Sequence, residues 1–197
     1  MRIEFWVDYL CPLTYLTHKN LIEVIKELNL INYELYYRSY QLDKDELNQL
    51  FVNEEYKEFL QNKNLKLKKF DTTTIHQVAH LAKRRECAQT FNEQVFEQLF
   101  AKNKEELSDE TVFEIAKSCG MDESNIKTVI DTKCYTKQIN SNKINAQNRN
   151  IKYIPHIRVN IKNNLVGYQT KEEIKEFLIE ILRKSPKTEY CGEYCSY

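Results

Sequence analysis

The sequence predicts an α/β fold with the order β-α-β, an all-helical block, then β-β-α. Three observations predict it. Short apolar runs of strand type lie only near the two ends. Between them, apolar residues recur at three- and four-residue spacing, the period of a helix. Neither end has enough strands to stand alone, so the two ends must share one sheet. The boundaries expected are a discontinuous domain of residues 1–42 and 143–186, a helical insertion over 43–142, and a tail over 187–197.

Ile3 to Val7 is the first strand, followed by Asp8-Tyr9-Leu10-Cys11-Pro12. Pro12 suits a first helical turn, where its missing N–H costs nothing. Leu16, Leu21, Ile25 and Leu28 then carry a helix to about Asn29. Ile31 to Arg38, rich in Tyr and Ile, is the second strand. A right-handed crossover would set these two strands parallel. In the middle, Leu47, Leu50 and Phe51 share a face. Ile75, Val78, Ala79 and Ala82 form a second stripe, and Phe91, Val95, Phe96, Leu99 and Phe100 a third. Ser108 to Thr111 opens a capped helix that Gly120 ends, and Asp122 to Ile130 follows as another. Four or five helices are expected. His156 to Ile161 is the next strand, Asn163-Asn164 a turn, and Leu165 to Gly167 the last strand. Thr170 and Glu173 form a capping box for a final helix whose buried stripe is Ile174, Phe177, Leu178, Ile181 and Leu182.

The composition excludes several classes. The 197 residues are 42% hydrophobic, which is too apolar for a disordered chain. Lys and Arg number 29, as do Asp and Glu, so no net charge points to nucleic acid. Three glycines leave no room for a Gly-rich phosphate loop. No run approaches the ~18 apolar residues of a membrane span. The first eight residues carry Glu4 and Asp8 and do not resemble a signal peptide. A reducing cytoplasm is therefore expected, with the six cysteines mostly as thiols.

Cys11 stands out by position. A thiol between a buried strand and a helix start faces unpaired backbone N–H groups and the positive end of the helix dipole, and both favour thiolate. The plainer alternative is a cysteine that fills the strand–helix corner. Ile154-Pro155 is the second candidate, because a cis bond there would present a backbone edge.

Asp8-Tyr9-Leu10-Cys11-Pro12-Leu13-Thr14-Tyr15 resembles the active-site segment of DsbA-like thioredoxin-fold proteins. The branch it is most similar to is that of FrnE and 2-hydroxychromene-2-carboxylate isomerase. Arg38 to Leu42, Thr73 to His80, Gln94 to Asp122, Asn150 to Pro155 and Gly167-Tyr168-Gln169 resemble further family segments in the same order. The resemblance implies a thioredoxin-like fold with the helical block as a lid. It implies Cys11 as nucleophile and a cis-Pro155 packed beside it. The motif departs from C-P-x-C: Thr14 replaces the resolving cysteine and can donate a hydrogen bond but cannot close a disulfide. A monothiol cycle follows, in which Cys11 forms a mixed disulfide and a second thiol resolves it. Cys191, Cys195 or a small thiol such as glutathione could resolve it. No tightly bound cofactor and no metal are expected. Substrates would be protein or peptide disulfides or small thiols, and a homodimer is among the states the resemblance allows. A glutathione-dependent isomerase or transferase and a silent binding module are the alternatives.

Tyr9, Tyr15, Tyr153 and Trp6 are expected to wall the sulfur, with Ile154 along the substrate. His156 is expected near Cys11, where an imidazolium would favour thiolate. His18 is expected on the surface. His76 and His80 share a helix face, but Gln77 stands where a zinc-protease motif needs Glu. Cys87, Cys119 and Cys134 are expected to be structural, and Lys83-Arg84-Arg85 a solvated face.

Overall fold

The structure, a computed structural model, describes residues 1–52 and 54–184. Strand β1 (Arg2–Val7) leads into helix α1 (Pro12–Glu27) and strand β2 (Glu34–Ser39). Seven helices follow: α2 (Lys44–Val52), α3 (Glu54–Asn62), α4 (Thr73–Arg84), α5 (Ala88–Phe96), α6 (Asp109–Ser118), α7 (Glu123–Thr132) and α8 (Thr136–Asn148). A π-helical turn, Glu97–Ala101, extends α5. The chain returns as β3 (His156–Val159), β4 (Asn163–Val166) and α9 (Lys171–Lys184). The insertion thus holds more helices than the four or five expected, because the polar stretch from 44 to 62 breaks into two and a polar α8 carries little apolar signal. Helix α8 is continuous across the expected 142/143 boundary.

The four strands form one sheet in the order β2-β1-β3-β4. β1 and β2 are parallel, and β3 runs antiparallel to both β1 and β4. This is a thioredoxin-like sheet with a helical insertion. Alternation assigns the faces of β1. Ile3, Phe5 and Val7 join Leu21 and Ile25 of α1, Ile157 and Val159 of β3, and Ile174, Leu178 and Ile181 of α9. Glu4 and Trp6 point to the other face, where Trp6 joins Cys11, Tyr40, Ala146, Ile151 and Ile154. The insertion has its own core, built from α4 to α7.

Local signals explain the ends of several elements. Ser108 Oγ accepts from Thr111 N, and Asp122 Oδ1 accepts from Asn125 N. Gly120 ends α6 at φ +81°, a conformation that costs glycine nothing. Thr170 and Glu173 bond each other reciprocally, as a capping box does. One turn differs from expectation. Asn163 and Asn164 lie within β4, and the reversal falls at Asn160 and Ile161, at φ 48° and 71°. The asparagines are held as strand residues instead: Asn163 Nδ2 donates to Val159 O, and Asn164 Oδ1 lies 3.1 Å from His156 Nε2. Leu182 is exposed and leaves the buried stripe of α9.

Candidate active site

Val7, Tyr9 and Cys11 enter three different apolar clusters: the sheet core, the helical core and the cluster on the opposite sheet face. The chain turns sharply between them, and Asp8 holds that turn. Its side chain is fully buried. Oδ1 accepts from Tyr9 N at 2.6 Å, Leu10 N at 3.3 Å and Thr72 Oγ1 at 3.3 Å, and lies 3.5 Å from His76 Nε2. Oδ2 accepts from Leu42 N at 2.6 Å. One carboxyl group therefore joins the ends of β1 and β2 to the start of α4.

Cys11 is the residue before α1, with extended φ −94° and ψ 110°, and Pro12 occupies the first helical turn. Cys11 O accepts from Thr14 N at 3.0 Å. The sulfur belongs to a side chain with no exposed surface, and it lies 3.7 Å from Tyr56 Oη of α3. Thr14 Oγ1 is buried without a partner of its own at hydrogen-bond geometry, close enough to the sulfur to favour a thiolate. The balance of these effects corrects the expected direction. Burial pushes the Cys11 thiol up; Thr14, Tyr56 and the Leu13 backbone pull it down and do not overcome burial. The helix start alone does not make this a low-pKa thiol while α3 covers it. Burial first, and then the neighbouring sulfur, keep the Tyr56 phenol protonated far above its ordinary value. Tyr56 is thus the donor once Cys11 ionises.

A cleft of ≈ 320 Å³ opens beside this cluster. Its lining includes Leu42, Glu46, Tyr56, Tyr153 and Ile154. Tyr56 and Ile154 are also neighbours of Cys11, so they form the wall between the sulfur and the cleft. The Ile154–Pro155 bond is cis, and Pro155 O accepts from Gly167 N at 2.8 Å. Tyr153 is 67% exposed and stands at the rim. Asn150 adopts φ 56°, a region asparagine tolerates. The α2–α3 segment that roofs the site is tied down at its edges. Glu46 accepts from Tyr40 Oη at 2.8 Å and from Lys143 Nζ at 2.7 Å, and Phe59 packs on Tyr168 at 5.1 Å.

Several expected site residues lie elsewhere. Tyr9 is buried in the helical core, 4.8 Å from the His76 ring, and its hydroxyl donates to Asn92 Oδ1 at 2.8 Å. Tyr15 stacks on Phe100 and lines a groove with His18 and Phe96. Adjacency to Cys11 in sequence does not bring either ring to the sulfur, because the turn at Asp8 and the pitch of α1 carry them toward the insertion. His156 is buried, edge-on to Trp6 at 5.7 Å, and burial lowers its pKa, which disfavours the imidazolium expected beside Cys11. His18 is buried rather than exposed. Its Nε2 lies 2.7 Å from Tyr37 Oη, and burial takes its pKa to about 3. Cys87 and Cys119 are half-buried and Cys134 is exposed. Cys191 and Cys195 lie outside the described residues.

The arrangement is a strand–helix corner with a cysteine before a proline at the helix start, a threonine one turn on, and a cis-proline after Ile154, which belongs to the apolar cluster of Cys11. The DSBA-like thioredoxin domain matches residues 2–178. The chain belongs to that family. The fold is shared with a probable DsbA oxidoreductase from Streptomyces coelicolor, at TM-score 0.79 and 19% identity, over 94% of this chain and 91% of that one. It is shared with a 2-hydroxychromene-2-carboxylate isomerase at TM-score 0.67 and 14% identity, over 93% and 95%. It is also shared with the cytosolic disulfide reductase DsbM from Pseudomonas aeruginosa, solved with GSH, at TM-score 0.63 and 10% identity, over 93% and 100%. No curated protein matches. No helix of the described residues is long and apolar enough to cross a membrane.

Tyr56 was not evident from sequence. Tyr56, Phe59 and Leu60 share a face of the polar α3, and that stripe was the one available signal. Tyr56→Phe keeps the cover but removes the donor. The Cys11 pKa is expected to rise, read as a shift of its alkylation profile to higher pH. An unchanged profile would remove Tyr56 from the site.

Proposed function

We propose that the chain is a thiol-disulfide oxidoreductase of the FrnE-like type that works through the single sulfur of Cys11. The observation that carries this is the setting of the sulfur: at the start of α1, between Thr14 and the Tyr56 hydroxyl, behind a cleft walled by Ile154. Opening of α3 admits the substrate and returns water to the sulfur, which removes the burial that holds the thiol protonated. The Cys11 thiolate then attacks a substrate disulfide. Its S–S bond breaks, one substrate thiolate leaves, and the other half stays on Cys11 as a mixed disulfide. A second thiol attacks that bond on the substrate sulfur, freeing Cys11 and forming a new disulfide. Thr14 cannot be that thiol, so the resolving group is a small thiol such as glutathione, or Cys191 or Cys195. These two steps exchange one thiol for another and leave half of the substrate in a disulfide with the resolving thiol; a second equivalent of that thiol attacks this disulfide, so that two thiols are oxidised for each substrate disulfide reduced. Tyr153 and the backbone at Ile154 lie along the substrate side.

A glutathione-dependent isomerase is the second reading. It is favoured by the buried hydroxyl of Thr14, which has an open valence to offer a bound thiol sulfur. A peptide-disulfide exchange assay driven by glutathione separates the two. Cys11→Ser is expected to abolish exchange, and Thr14→Ala to slow it about tenfold through loss of a bond to the thiolate. Exchange that persists in Cys11→Ser would end the first reading. Saturable glutathione binding in that variant, with isomerisation of an aromatic substrate, would establish the second.

A further inference from the structure

We propose that a pocket on the β2 side of the sheet binds a phosphate dianion, through Arg38 of β2, Lys83 of α4 and Lys137 of α8. The pocket has a volume of ≈ 390 Å³ and is lined by these three residues with His80, Ser141 and Asn142 among others. It shares no lining residue with the cleft beside Cys11.

The charge around it is unbalanced. Arg38 is bonded to Glu4, a buried carboxylate that is not part of the pocket lining. Arg38 donates to Glu4 Oε1 at 3.1 and 2.5 Å, and Arg158 to Oε2 at 3.1 and 2.6 Å. Arg2 donates to Oε1 at 3.1 Å, and Arg149 stands 4.0 Å from Oε2. Four guanidinium groups therefore share one negative charge. Three cations also surround a single ring: Arg2, Arg38 and Lys83 lie 5.0, 5.5 and 5.3 Å from the centre of Tyr36. Tyr36 gives its hydroxyl to Glu34 at 2.9 Å, so that carboxylate is turned to a phenol. Among the described residues, neither Lys83 nor Lys137 has an ion pair, and no carboxylate lines the pocket. Partial desolvation, and then Arg38 and Arg2, lower the Lys83 pKa against a smaller upward pull from Glu4.

In a chain with balanced charge, such a cluster is a local field that an anion relieves. Two ammonium groups and a guanidinium edge call for two negative charges on one centre. A carboxylate brings one; a phosphate brings close to two and three acceptor oxygens. His80 stays neutral, with a pKa of about 4 set by burial first and then by His76, Lys83 and Arg38. Ser141 and Asn142 add uncharged donors beside the cations. The ligand is thus free phosphate or the phosphate monoester of a small metabolite.

Titration calorimetry on the full chain tests this, with inorganic phosphate, ribose 5-phosphate and chloride at matched ionic strength. Saturable binding is expected for the phosphates and not for chloride. Tighter binding of ribose 5-phosphate identifies a monoester site; equal or weaker binding identifies a site for free phosphate. Lys83→Gln with Lys137→Gln should weaken binding at least about tenfold, since each loses a charge-assisted hydrogen bond. Ser141→Asp, a single exposed change on α8, should weaken it likewise by charge. Binding no different from chloride, or unchanged in both variants, would overturn the proposal.

Discussion

Asp8→Ala is expected to destabilise the fold by at least about 3 kcal/mol, and to lower the thermal midpoint by about 10 °C. The side chain is fully buried and supplies the acceptor for three backbone N–H groups and the Thr72 hydroxyl. Removing it leaves those donors buried without partners, and each such group costs about 1–3 kcal/mol. The damage also falls on function, because the same carboxyl group fixes the turn that presents Cys11. Asp8→Asn keeps one acceptor oxygen but sets an NH₂ against a donor, so it should lie between. Urea unfolding at neutral pH reads both changes. A loss below about 1 kcal/mol in the alanine variant would mean that packing of the three clusters, and not Asp8, holds the corner.

Acid is expected to cost about 3 kcal/mol through Glu4 alone. Burial by itself would raise the Glu4 carboxyl. The hydrogen bonds and charges of Arg158 and Arg38 outweigh burial and hold it at about 2. Its value in the unfolded chain is near ~4.3. The folded pKa is the lower one, so the stabilisation is complete above the unfolded value and is lost as pH falls toward about 2. Buried His18 and His80, at about 3 and 4, act in the same sense at higher pH. Both must stay neutral in the fold, so their contribution starts to fall below ~6.5. Glu4→Gln separates the two effects. It should cost about 3–5 kcal/mol at neutral pH by leaving guanidinium groups unpaired. It should also flatten the stability curve below pH ~4.5 while leaving the histidine part intact. A variant with the wild-type slope in that range would show that Glu4 is not the acid-sensitive group.

The parts of this molecule written locally in the chain were legible. Cys11 next to Pro12 marks a strand–helix corner without tertiary information. Thr170 with Glu173, Ser108 and Gly120 mark helix ends through bonds that span at most a few residues. The cis Ile154–Pro155 bond was expected from the family resemblance rather than from spacing. What was not legible depends on where distant elements land. Tyr56 lies 45 residues from Cys11, on a helix with little apolar pattern. His18 looks like a surface residue until Tyr37 of the neighbouring strand meets it. Tyr9 and Tyr15 flank the nucleophile in sequence, yet their rings serve the helical core. The low thiol pKa was expected from the helix start, with Thr14 and His156 beside it. The roof over the sulfur, which no local pattern encodes, reverses its direction.

The most direct measurement is mass mapping of the native protein after brief exposure to glutathione disulfide. One glutathione is expected on Cys11, formed ahead of adducts on Cys87 and Cys119 despite the burial of Cys11, and removed by added thiol. Adducts that appear only on Cys134 or other exposed cysteines, with Cys11 unmodified, would contradict this expectation.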